Sequence, residues 1–226
     1  MRLPFLSTVI ILVLSLFARA EAPNLAPDPK GVPGAAARLV LAQQTYESAL
    51  RTGDPVVLIT AIRLARDVTL RPPAAWTRTT EGPPVPDQPD GRSGAPNPAG
   101  PEAIAIAQGL AGDDPDLQDL VYDLDAQLPH GRRATAIDAA ATLDGGQADD
   151  WRLVLAGQTE AELGLIGDGD SALSLSVADD SGNVVCAVPA GVASALCRFT
   201  PARNGFFTVR VKNSGTFRNS YRLIGN

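Results

Sequence analysis

A single histidine, His130, and two cysteines, Cys186 and Cys197, are all that this chain offers to the chemistry that depends on those side chains. One histidine excludes the zinc hydrolase signatures built on histidine pairs. A Ser-His-Asp arrangement would have to use His130, yet no Gly-x-Ser-x-Gly elbow is present. Lysine is nearly missing too: Lys30 and Lys212 are the only two. With a net charge of −6, the chain lacks the clustered basic residues that phosphate backbones require, so nucleic acid is excluded as a partner. Aromatic residues are 5% of the chain, too few for an aromatic-lined sugar cleft. No apolar run beyond the N-terminus approaches the ~20 residues of a membrane-spanning helix.

What is present begins with an export signal. Arg2 precedes the apolar run Thr8–Phe17, and Ala18-Arg19-Ala20 supplies small residues at both positions read by a signal peptidase. The pattern predicts a signal peptide over 1–20, cleaved before Glu21, with an uncleaved anchor as the alternative. The mature protein is then periplasmic or secreted and has no membrane span. Cleavage removes two arginines and no acid, leaving the product more acidic still. In an oxidising compartment the even cysteine count reads as a Cys186–Cys197 disulfide; the rival is a reactive thiol or metal pair, without a nearby third ligand.

Residues 21–33 form a proline-rich lead-in. A helical region is expected over 34–128. Leu39, Ala42, Tyr46, Ala49 and Leu50 recur on one face, and Leu58, Ala61, Ile62, Ala65 and Val68 form a second stripe. Between them Gly53 stops the first helix, and Asp54-Pro55 supplies an N-cap and a first-turn proline for the next. Leu110-x-x-Asp113-Asp114-Pro115 echoes Leu50-x-x-Gly53-Asp54-Pro55, which predicts a second αα-hairpin over about 102–111 and 115–128. The echo reads as reuse of cap chemistry or as a duplication.

The proline-rich stretch 71–101 carries nine prolines and predicts a loop or linker. Trp76 within it is a candidate binding anchor if exposed, and otherwise a residue folded back onto the helical hairpin. Residues 129–150 read as a turn-rich connector containing His130. From Trp151 the period changes to two: Leu153/Leu155, Leu163/Leu165, Leu173/Leu175/Val177, Phe207/Val209/Val211 and Tyr221/Leu223 alternate with polar or small neighbours between turn signals. The expected fold is therefore α+β: a small N-terminal α-helical unit of αα-hairpins, then a C-terminal antiparallel β-sandwich over 151–226.

Three stretches in this last part resemble the bacterial pre-peptidase C-terminal domain family: GDGDSALSLSVADDSGNVVC (167–186), CRFTPARNGFFTVRVKN (197–213) and RNSYRLIGN (218–226). The resemblance implies a jelly-roll-like sandwich that is a non-catalytic appendage, in some members a binder of calcium or of polymeric substrates. No protease domain accompanies it here. Relatives often read Asp-Leu-Asp-Leu after the glycine-aspartate turn, where this chain has Ala172-Leu173-Ser174-Leu175.

Asp168 and Asp170 in a glycine turn, with Asp179, Asp180 or Asn183 as helper, make calcium the one candidate cofactor. The rival is that these residues simply build turns. The sequence thus points to a non-enzymatic exported protein that binds, assembles with or supports another exported protein or envelope component. A calcium-dependent adhesive or substrate-binding module is the alternative, with a hydrolase using an unrecognised carboxylate pair as a third.

Overall fold

The computed structural model describes residues 21–27, 32–86, 88, 91, 95–126 and 134–226. The signal segment 1–20 and His130 lie outside the described residues. Helix α1 (Ala35–Thr52) ends where Gly53 turns left-handed at φ 67°. Asp54 then caps α2 (Pro55–Arg66), accepting from the backbone N–H of Val56 and Val57 at 2.9 and 3.0 Å. Asp114 performs the same service for α4 (Pro115–Ala126) after α3 (Pro101–Ala111), bonding Asp116 and Leu117 N–H. Both hairpins are therefore built on one cap. They share a core in which Tyr46, Leu58, Ile62, Ala107, Val121 and Leu124 are buried.

Ten strands make two five-stranded sheets. In chain order they are β1 (Val68–Arg71), β2 (Thr77–Glu81), β3 (Ala134–Leu143), β4 (Ala148–Leu155), β5 (Ala161–Gly167), β6 (Leu173–Asp179), β7 (Val184–Val192), β8 (Ser194–Phe199), β9 (Gly205–Asn213) and β10 (Asn219–Gly225). The first sheet runs β1-β3-β10-β5-β8 and the second β2-β4-β9-β6-β7. Neighbours are antiparallel except β1 and β3, which are parallel. Leu153, Leu163, Leu175, Phe207, Val209 and Leu223 are fully buried between the sheets, as their alternation requires.

The sandwich is larger than its periodic part. Residues 134–150, read from sequence as a connector, hold β3 and the start of β4, and the proline-rich stretch supplies β2. Proline density did not prevent a strand, because Thr77–Glu81 contains none and pairs with Ala148–Arg152. Nor is the helical part separate. The chain passes from α2 into β1 after a single residue, and α1 lies on the outer face of the first sheet.

Gly164 makes that docking possible. A Cβ there would stand 2.8 Å from Val40 Cγ2, so the helix can sit this close only on a glycine. Glu162, in the same strand and 2% exposed, accepts from the N–H of Gly34 and Ala37 at 2.7 and 3.1 Å. Gly34 has no side chain to cap α1, so a carboxylate from the sheet does it, at the positive end of the helix dipole. Glu162→Gln keeps one acceptor and removes the charge. Its expected cost is about 1–2 kcal/mol in urea unfolding, with faster amide exchange confined to the first turn of α1. An unchanged unfolding midpoint contradicts this role.

Candidate binding site on the uncovered sheet

The two outer faces differ. On the first sheet, Ala136, Ile166 and Ile224 are buried under α1 and its neighbours. The helices' packing contacts fall on that sheet, and among the described residues no helix packs on the outer face of the second sheet. Register places Arg152 opposite Thr208 and Val154 opposite Phe206 on it, with Asp150 opposite Arg210 and Ser176 beyond. The Arg152 guanidinium lies over the Phe206 ring, 4.2 Å from its centroid. Val154 is 61% exposed and Phe206 47%. Beside them an open pocket of about 260 Å³ runs along Val154, Leu155, Thr159, Glu160 and Asn226. Farther along, Arg210 is held by Asp150 at 2.8 Å and by Glu81. This face offers a stacked cation and two apolar side chains beside small hydroxyl residues, which is what a contact surface needs.

The residues singled out from sequence are placed elsewhere. Cys186 and Cys197 form the expected disulfide, Cα atoms 5.9 Å apart, and it joins β7 to β8. These strands are the same-side edges of the two sheets, so the bond closes one side of the sandwich. Trp76 is half-buried. Its ring meets Trp151 edge to face at 6.3 Å and presses on Gly225, so it packs on the sandwich and not on the helical hairpin. A residue between β1 and β2 has the gap between the two sheets directly beneath it, which explains the choice of partner.

The three candidate calcium ligands are not brought together. Asp168 lies just after β5, and Asp170 two residues on, near the start of β6. Asp179 ends β6, roughly 20 Å away at about 3.3 Å per residue. Each of the two buried acids is occupied by backbone. Asp168 accepts from Ser220 N–H at 2.6 Å and Asp170 N–H at 3.0 Å. Asp179 accepts from the N–H of Asn24, Ser181 and Asn183 at 2.7, 3.0 and 2.9 Å. Among the described residues no group of three or more His, Cys, Asp or Glu could hold a metal ion.

These environments move the carboxyls in opposite directions. Burial pushes Asp168 and Asp150 up. Burial also raises Asp179, but the hydrogen bonds from Asn24, Asn183 and Ser181 outweigh it and the carboxyl falls below the ordinary value of 3.8. The Arg218 and Val85 hydrogen bonds lower Asp144 likewise. A lowered group stabilises the fold above the ordinary value, and that contribution is lost as pH falls through its folded value. A raised group acts oppositely: the fold gains as pH falls through the raised value. Wild type should therefore gain stability relative to Asp168→Asn on acidifying from neutrality. Asp179→Asn should flatten the acid limb below pH 3.8. Urea midpoints across the acid range check both, and parallel profiles for all three proteins contradict them.

A network that sequence reasoning missed lies between the sheets. Asp149, fully buried, accepts from Tyr221 Oη and from Thr80 Oγ1, each at 2.5 Å. Tyr221 accepts in turn from Trp151 Nε1 at 2.7 Å. Arg78 stands 3.6 Å from the carboxylate and over the Trp151 ring. Burial, then the Asp149 carboxylate it donates to, push the Tyr221 hydroxyl up, so it remains a donor throughout the physiological range. This cluster links β2, β4 and β10. The outward Phe206 was legible in principle, since the alternation that sends Phe207 inward sends its neighbour out.

No family model matches the chain, and no curated protein matches it. Among solved structures the chain is similar to the pre-peptidase C-terminal domain of a collagenase from Bacillus anthracis: 14% identical, spanning 38% of this chain and 86% of that one, TM-score 0.33. A second is PliG of Aeromonas hydrophila, a periplasmic inhibitor of g-type lysozyme: 12% identical, spanning 40% and 84%, TM-score 0.31. A third is TmCBM61, solved with β-1,4-galactotriose: 15% identical, spanning 42% and 68%, TM-score 0.25.

Proposed function

We propose that this chain is an exported, non-catalytic binding or assembly module that serves another envelope or secreted factor, and that the bare face of the second sheet is its contact surface. The observation that carries the reading is the asymmetry of the sandwich. One sheet is roofed by α1, while the other presents Arg152, Phe206 and Val154 to solvent. The buried acids Asp144, Asp149, Glu162, Asp168 and Asp179 are all held by hydrogen bonds within the fold. A disulfide suits an oxidising compartment, and among the described residues no helix is long and apolar enough to cross a membrane. The strap 21–27 begins at the residue that signal cleavage would expose. Glu21 bonds Arg203 and Ser181 at 3.0 and 2.9 Å, and Asn24 exchanges bonds with Arg203.

The test is affinity capture from the cell-envelope fraction with residues 21–226, run with calcium and with a chelator. A stoichiometric partner is expected, and Arg152→Glu with Phe206→Ala should weaken capture by roughly tenfold or more, the usual scale for contact anchors. Equal capture by the variant moves the surface elsewhere. Turnover on a hydrolase panel, lost when a carboxylate is neutralised, refutes the non-catalytic reading.

A further inference from the structure

We propose that copies of this chain join head to tail, with the acidic helix α4 of one copy seated on the outer face of the second sheet of the next. This rests on that face being a contact surface, as proposed above, and names a second copy as its occupant. The face carries charge that the fold leaves open. On its strands Arg152, Arg210 and Lys212 meet two acids, Asp150 and Glu81, and Arg210 takes both. Arg152 and Lys212 are exposed, and among the described residues no acid pairs with either. Lys212 lies four residues beyond Thr208, the partner of Arg152, so the two cations are roughly 13 Å apart along the strands at about 3.3 Å per residue. Phe206 and Val154 stand exposed at the Arg152 end.

The complement is carried on the other side of the molecule. Residues 101–126 hold seven acids and no lysine, arginine or histidine. On α4, Val121 and Leu124 are buried in the helical core, which turns Asp116, Asp119, Tyr122 and Asp123 to solvent. Tyr122 is 71% exposed. Among the described residues no cation pairs with these three aspartates. Asp116 to Asp123 covers roughly 10 Å of helix at about 1.5 Å per residue, a length comparable to the spacing of the two cations. An exposed tyrosine among them suits the exposed Phe206 and Val154.

The two patches cannot meet within one copy. α1 packs on the first sheet, α2 on α1, and α3 and α4 on α2, whereas the cations lie on the outer face of the second sheet. A patch of each kind on opposite sides makes a heterologous contact, which repeats as an open chain or closes into a ring. A face of roughly 20 Å by 20 Å supports weak, reversible contacts and not a permanent one.

Other occupants fit less well. Two copies meeting face to face about a twofold axis bring unpaired cations together, and two meeting through α4 bring aspartates together. The chain's own stretches outside the described residues, 1–20, 28–31, 87, 89–90, 92–94 and 127–133, hold six lysines and arginines against three acids, the wrong sign for this face. A foreign acidic segment needs a second protein at hand, whereas α4 accompanies every copy.

Sedimentation velocity on residues 21–226, at up to about 0.5 mM chain, reads the assembly. Mean mass should rise with concentration in about 20 mM salt, and the concentration for half-assembly should rise about tenfold or more in about 500 mM salt. Arg152→Glu with Lys212→Glu spoils the face, and Asp119→Lys with Asp123→Lys spoils the helix. Each variant alone should stay monomeric, and an equimolar mixture should assemble again, because each supplies the surface that the other lacks. Wild type that stays monomeric at low salt overturns the proposal. So does assembly that salt does not weaken, either variant assembling as wild type does, or a mixture that stays monomeric. The wild-type salt series decides the matter even if a variant does not fold. Capture of an envelope partner by a wild type that stays monomeric sinks this inference alone. Self-association with no other envelope protein captured upholds it and withdraws the reading that another factor is served.

Discussion

Asp149→Ala is expected to lower unfolding free energy by about 1–3 kcal/mol, a fall in melting temperature of roughly 3–10 °C for a chain of this size. The substitution deletes the acceptor shared by Tyr221 and Thr80; Thr80, on an exposed strand, turns to water, but the buried Tyr221 hydroxyl is left stranded between the sheets. Each stranded buried donor costs about 1–3 kcal/mol. Losing the charge pair adds little, because Arg78 is 40% exposed and water replaces its partner. Asp149→Asn retains an acceptor and should cost about half as much. Tyr221→Phe removes one hydroxyl, and the Asp149→Ala, Tyr221→Phe double variant should fall short of the sum by about 1 kcal/mol or more, since the two groups share a bond. Additive losses, or an Asp149→Ala cost under about 1 kcal/mol, would sink the claim that this network clamps the sheets.

Replacing both cysteines with serine should cost about 3 kcal/mol, the chain-entropy value for a loop closed across a separation of 11 residues. The structure gives the loss a location. β7 and β8 belong to different sheets and are joined along the chain by a single residue, so the bond holds the sandwich shut at that side. Cys197 is fully buried opposite Leu163. Exchange in the double variant should quicken first in β7 and β8, with β4 and β9 the last to open. Uniform quickening, or thiols found free in the purified protein, would mean that the bond does not fasten this side.

Much of this fold was legible because its signals are local. Asp54-Pro55 and Asp114-Pro115 announce helix starts through a side chain that bonds its own next turn. Strands β4, β6, β9 and most of β10 announce themselves because one face meets the core while the other meets water or small neighbours, so their side chains alternate; β5 keeps Leu163/Leu165 in the core although α1 buries its other face too. Two cysteines leave one pairing. The disulfide and the α+β sandwich with its helical hairpins needed nothing more.

Strands whose identity depends on a distant partner gave no such signal. β3 (ATAIDAAATL) has alanine on both faces: inward at a sheet edge where little needs filling, outward where other parts of the fold come close. β2 (TRTTE) is exposed throughout, and only its pairing with β4 makes it a strand. Tertiary structure alone put Glu162 at the start of α1, Trp76 on Trp151, and Asp149 beneath Tyr221. It also spent Asp168 and Asp179 on backbone bonds at opposite ends of β6. The physical reason is common to all of them. Periodicity and caps report what a residue does within one turn or one strand, whereas a buried charge is placed by whatever donor the folded chain delivers to it from far away.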